Sequence, residues 1–185
     1  QQGIRAHPVY LENIQTPCIA PVEINEGGEV QKAVRISAGF IGLINSLAHA
    51  RALSEPGNGF LKAYAARLAS ADSSVPSVAE GLPPAKAWDF DTMNVQAGQF
   101  NQMAGALLAI DLAHHYLGHY TKYAAQLTAT SPATTPPINN LVSDKEWREA
   151  VLKGAKNALD CGLGVDGLRR HGLAVRLALS PSAGI

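Results

Sequence analysis

The chain has 185 residues and only two cysteines, Cys18 and Cys161, too far apart for a CxxC pair. That spacing excludes a dithiol redox motif or a zinc ribbon, both of which need closely spaced thiols. It leaves two readings open, one long-range disulfide in an oxidising compartment or two separate buried thiols in a reducing one. Charge is scarce, with Asp, Glu, Lys and Arg making up 16% of residues, and fifteen basic side chains balance fifteen acidic ones. No basic stripe stands ready to neutralise phosphates, so a nucleic-acid partner is not expected. A long hydrophobic run is also missing. One long uncharged stretch, Thr92 to Ile110, carries Asn94, Gln96, Gln99, Asn101 and Gln102, whose amides are costly in hydrocarbon, so no membrane span is expected. The sequence contains no CxxCH, P-loop, post-strand GxGxxG or GxSxG signature, and so gives no support for haem c, nucleotide, dinucleotide or serine-hydrolase chemistry.

What is present is a composition 46% hydrophobic, that of a chain able to bury a core as a single domain over residues 1–185. Its first part, 1–37, is rich in strand signals: Val9–Ile14, Ile19–Ile24 and Ala33–Ser37, where Val34 and Ile36 alternate with Lys32 and Arg35. Glu26-Gly27-Gly28-Glu29 reads as the hairpin turn, because glycine accepts positive φ. From Ala38 the apolar period becomes helical, through Phe40, Ile41, Ile44 and Leu47, with Ser37 as N-cap. Further helices are expected at 60–71, from about Val95 to Leu127, from the Ser143-Asp144-Lys145-Glu146 capping box to about Leu159, and at 165–179. Cys161-Gly162-Leu163-Gly164 reads as a helix stop. Exposed loops are expected near 73–84 and 131–137, both interrupted by proline. The expected fold is thus α+β, mainly α: a small N-terminal β-hairpin or sheet followed by a bundle of about five helices in residues 38–185.

Six histidines stand out in this quiet chain, three of them in one cluster, His114, His115 and His119. On an unbroken helix, residues four apart share a face. Asp111, His115 and His119 then form a ladder, while His114 falls on the core stripe with Phe100, Met103, Leu107, Ile110 and Leu117. Imidazoles at i and i+4 can reach one metal ion, and a nearby carboxylate can complete the coordination or orient a ligand. Gly118 thins the helix where another backbone could approach. The competing reading makes these histidines structural. His49 and His7 are further contributors by residue type, although a polar-face role suits His49 better, and His171 sits among solvated residues near a helix end.

Leu112-Ala113-His114-His115-Tyr116-Leu117-Gly118-His119 resembles the metal-binding helix of zincin metallopeptidases, in particular the gluzincin branch. Pro17-Cys18-Ile19-Ala20-Pro21, the Gly27-Gly28 turn and Val34–Ile41 are similar to that family's strand, hairpin and helix entry. Ala158–Gly162 and Gly164–Leu168 are loosely similar to the helix that supplies its third zinc ligand. The resemblance implies a zincin-like fold in which His115 and His119 hold Zn²⁺, or another divalent transition metal, and a peptide or protein substrate is cut at a peptide or amide bond. Two positions depart from the family. Tyr116 stands where the catalytic glutamate would be, and a phenol is a poor base at neutral pH. Ala158 stands at the third-ligand position, leaving Asp160, Glu149 or Asp111 as substitutes. Tyr116 or Tyr120 could then donate to a developing oxyanion beside a Lewis-acid metal. The alternative is a non-catalytic binding protein on a decayed metalloprotease scaffold. Iron or copper would also suit imidazole and carboxylate donors. Numbering from Gln1 with no leader is read as a signal peptide already removed, hence a periplasmic or secreted protein.

Overall fold

In the computed structural model, residues 8–54, 88–128 and 138–164 are described. The helices expected at 60–71 and 165–179, and the loops near 73–84 and 131–137, lie outside them. The architecture is α+β and mainly α: a three-stranded sheet followed by helices. The strands are β1 (Val9–Glu12), β2 (Ile19–Glu26) and β3 (Glu29–Ser37). The helices are α1 (Ala38–Ala52), α2 (Phe90–Tyr116), α3 (His119–Thr128) and α4 (Asp144–Asp160), with a short 3₁₀ turn at Ile138–Asn140 before α4.

The β2–β3 hairpin closes at Glu26↔Glu29, where Gly27 and Gly28 take φ of 62° and 89°. Both values lie in the region that favours glycine, as a two-residue hairpin of this hand requires. β1 adds to the other side of β3 in parallel, Val9 opposite Val34, giving the order β1-β3-β2.

Ser37 joins sheet to helix. Its hydroxyl caps α1 by accepting from Phe40 N at 3.0 Å, accepts from Cys18 N at 2.8 Å and donates to Thr16 O at 2.8 Å. Gly39, two residues on, has no room for a side chain, because a Cβ there would overlap the Gln15 carbonyl. The first turn of α1 therefore lies flat on the loop between β1 and β2. Phe40, Leu43, Ile44 and Leu47 of α1 meet Met103 of α2, with Ile19, Ile36, Phe100 and Leu107 packed around them.

α2 starts earlier than its apolar period predicts, at Phe90, because the Asp89 side chain caps it by accepting from Thr92 N at 2.7 Å. It also ends earlier. The expected helix to Leu127 is broken at Leu117-Gly118, where Gly118 adopts φ 77° and Leu117 N still bonds to Ala113 O. A glycine in the left-handed region just past the last turn is a common helix terminator, and α3 leaves in a new direction. α4 opens on the expected capping box, Ser143 with Glu146, and stops at Cys161, with Gly162 at φ 77°. It packs on α2 through Ile110, Ala113 and Ala150, with Trp147 and Val151 alongside.

Candidate functional site: the histidine junction of α2 and α3

The break at Gly118 decides where each histidine points. His115 stays on the last turn of α2 and faces the sheet, its Nε2 2.9 Å from the Ala33 carbonyl of β3. As that carbonyl can only accept, His115 Nε2 carries the proton and donates. His119 opens α3 instead, so four-residue spacing no longer places it on the face of His115. It meets His114: the two Nδ1 atoms are 3.0 Å apart and the rings are tilted by 60°. The structure thus brings His119 to His114, not to the face of His115 that an unbroken helix would give it, and the cause is local, the interruption of the helix by one glycine.

Both paired rings are buried. Trp147 of α4 stacks on His114 at 6.2 Å with an interplanar angle of 22°. Burial is the main reason His114 is held neutral, its pKa lowered to about 4, with the neighbouring His119 and His115 adding to the effect. A neutral imidazole keeps the lone pair that a metal or a proton donor needs. A ring-to-ring hydrogen bond accounts for the 3.0 Å separation: one Nδ1 carries a proton and donates, and the other accepts. Among the described residues, His114 Nε2 is buried with no hydrogen-bond partner.

Of the carboxylates read from the sequence, Glu149 alone lies beside this pair, its Oε2 4.0 Å from His119 Nε2. Asp160 is at the far end of α4, exposed and paired with Lys156 at 2.8 Å. Asp111 is buried on the sheet side of α2, away from the pair. Burial pushes its carboxyl up to about 8, so it stays protonated at neutral pH. Tyr116 lies on the exposed side of the last turn of α2, at 57% exposure. Tyr120 is buried against His115, with ring centroids 4.8 Å apart, and its oxygen accepts from Glu23 N of β2 at 3.2 Å. That phenol fastens α3 to the sheet, and burial raises its pKa. His49, on α1, is buried and packs against Trp88 at 5.2 Å, and His7 and His171 lie outside the described residues.

The zinc set implied by the zincin resemblance does not fit this geometry. His115 is turned to Ala33, Tyr116 faces outward, and the rings of His115 and His119 belong to different contacts. Among the described residues, no three His, Cys, Asp or Glu side chains converge on a point that could hold a metal. His114 and His119 do fit as a two-nitrogen seat. Two nitrogens on one tetrahedral zinc ion stand about 3.3 Å apart, close to the observed 3.0 Å. Sequence reasoning placed His114 in the core and missed it as a partner. The signal that could have found it was Gly118, which suits a helix end better than a helix interior.

Cys18 and Cys161 are free. Cys18 sits half-buried beside Arg35, and burial raises its pKa; Cys161 is exposed at the end of α4. Among the described residues no helix is long and apolar enough to cross a membrane. No protein-family model, curated protein or solved structure matches the chain.

Proposed function

We propose that this protein binds a divalent transition metal ion, Zn²⁺ first among them, through Nδ1 of His114 and Nδ1 of His119, and acts as a metal-dependent binding protein on a zincin-like helical scaffold. The observation that carries the reading is the 3.0 Å approach of two buried, mutually facing imidazole nitrogens. Imidazole donors suit zinc, copper and nickel over magnesium or calcium. A binding role is favoured over peptide hydrolysis by the surroundings of the two tyrosines. Tyr116 points to solvent, and Tyr120 lies against His115 with its oxygen at Glu23 N of β2, so neither stands over the pair as a base or an oxyanion donor. When bound, the ion would supply Lewis acidity and a charged anchor for a donor atom of a partner.

The test is metal content and calorimetric titration of the full chain after chelator treatment. Zinc is expected to bind at one equivalent, to be lost in His114→Ala and in His119→Ala, and to persist in His115→Gln, which keeps a donor for Ala33 O. No zinc retained by the unaltered chain would refute the proposal. Loss in His115→Gln with binding intact in His114→Ala would restore the zincin register.

A further inference from the structure

We infer that Glu149 is a positioning residue for the proposed metal seat, orienting His119 from outside the coordination sphere instead of ligating the ion. The inference rests on the metal reading above and adds a direction to it. His119 has two ring nitrogens on opposite edges, and the two face different partners. Nδ1 meets His114 Nδ1 at 3.0 Å, and Nε2 looks toward Glu149 Oε2 at 4.0 Å. A carboxylate on the Nε2 edge cannot share an ion with the Nδ1 edge of the same ring, but it can accept the Nε2 proton. That interaction selects the tautomer whose Nδ1 lone pair is free, turns the ring toward His114 and makes the ligand more basic.

Glu149 is presented by a well-anchored element. One turn earlier on α4, Glu146 closes the capping box with Ser143, and it also accepts from Lys122 Nζ at 2.7 Å and Tyr123 Oη at 3.0 Å. Lys122 and Tyr123 belong to α3, so this network fastens the start of α4 to the helix that carries His119. A separation of 4.0 Å is longer than a hydrogen bond. Glu149 is half exposed, with its other oxygen 4.0 Å from Lys145 Nζ, and the positioning role calls for a rotamer that brings Oε2 within hydrogen-bond reach of Nε2.

The experiment is zinc titration of the full chain with Glu149→Ala and Glu149→Gln, together with visible spectra of the Co²⁺-loaded forms. Loss of an orienting partner typically costs about 10–100-fold in metal affinity. Glu149→Ala is therefore expected to weaken zinc binding by at least about 10-fold, with unchanged thermal stability in the metal-free form. Glu149→Gln, whose amide oxygen still accepts from Nε2, should bind within about threefold of the unaltered chain. The Co²⁺ bands should keep their positions in both, since the donor set is the same. Unchanged affinity in Glu149→Ala would overturn the inference and leave the His114–His119 seat standing. Equal loss in both variants with shifted Co²⁺ bands would make Glu149 a ligand and overturn it too. If the unaltered chain binds neither ion, the metal reading itself falls and the role of Glu149 with it.

Discussion

Replacing Gly154 with alanine tests how closely α4 lies on α2. A Cβ at Gly154 would stand 2.7 Å from the Cα and the N of Ile110, roughly 0.8 Å inside comfortable van der Waals contact. The opposing atoms are backbone in the middle of α2, so no rotamer change relieves the overlap and the helices must move apart. Because the clash is with backbone, the overpacking cost falls at the upper end of the usual range, about 2–3 kcal/mol, against which alanine recovers about 1 kcal/mol of helix propensity. The net expectation is a loss of about 1–2 kcal/mol. For a chain of this size, each kcal/mol corresponds to about 2–4 °C in Tm. A calorimetric melt of Gly154→Ala should fall by roughly 2–8 °C, with weaker near-ultraviolet dichroism from Trp147 as it loosens over His114. Gly98→Ala is the control, since a Cβ at that position of α2 meets nothing within 4 Å, and it should hold or gain stability. A Gly154→Ala variant melting at or above the unaltered chain would refute the close approach of α2 and α4, and with it the placement of Trp147 and Glu149 beside the histidines.

The other expectations follow from single groups. Asp111, neutral in the fold with its pKa raised to about 8, contributes stability that is fully present below its unfolded pKa near 4 and declines as pH rises to about 8. The decline reaches at most about 1.4 kcal/mol per pH unit; urea melts from pH 5 to 8 should show a shallower fall in Asp111→Asn, and an identical slope would mean that Asp111 is charged and compensated. Ser143→Ala removes the hydroxyl that accepts from Glu146 N at 3.3 Å and should cost about 1 kcal/mol in denaturant unfolding. No change would mean that Lys122 and Tyr123 hold the start of α4 without the cap. The zinc content of the histidine variants and the Glu149 pair complete the set.

Local chemistry in this chain was legible from its residues. The Gly27-Gly28 turn, the Ser37 cap, the Ser143–Glu146 capping box and the stop at Cys161-Gly162 each depend on neighbours within about four positions. All of them stand where residue type places them, and so does the α+β architecture. The core stripe of α2 held from Phe100 to His114 because its period records which side is buried. It failed at Leu117, which is partly exposed once the helix ends.

The site was less legible, because its geometry depends on one backbone angle and on elements distant in sequence. Four-residue spacing puts His115 beside His119 only on a continuous helix, and Gly118 at φ 77° removes that condition. Which side each ring then takes is decided by what lies there: the Ala33 carbonyl of β3 for His115, and Trp147 and Glu149 of α4 for His114 and His119. The same holds for Asp111, whose carboxyl is ordinary by residue type and becomes a neutral acid only under the sheet. By itself the sequence determined the elements, their caps and the presence of an imidazole cluster, since these arise from short-range backbone preferences and apolar periodicity. The tertiary structure alone decided the parallel placement of β1 on β3, the pairing of His114 with His119 and the charge state of Asp111, because contact and desolvation come from residues far along the chain.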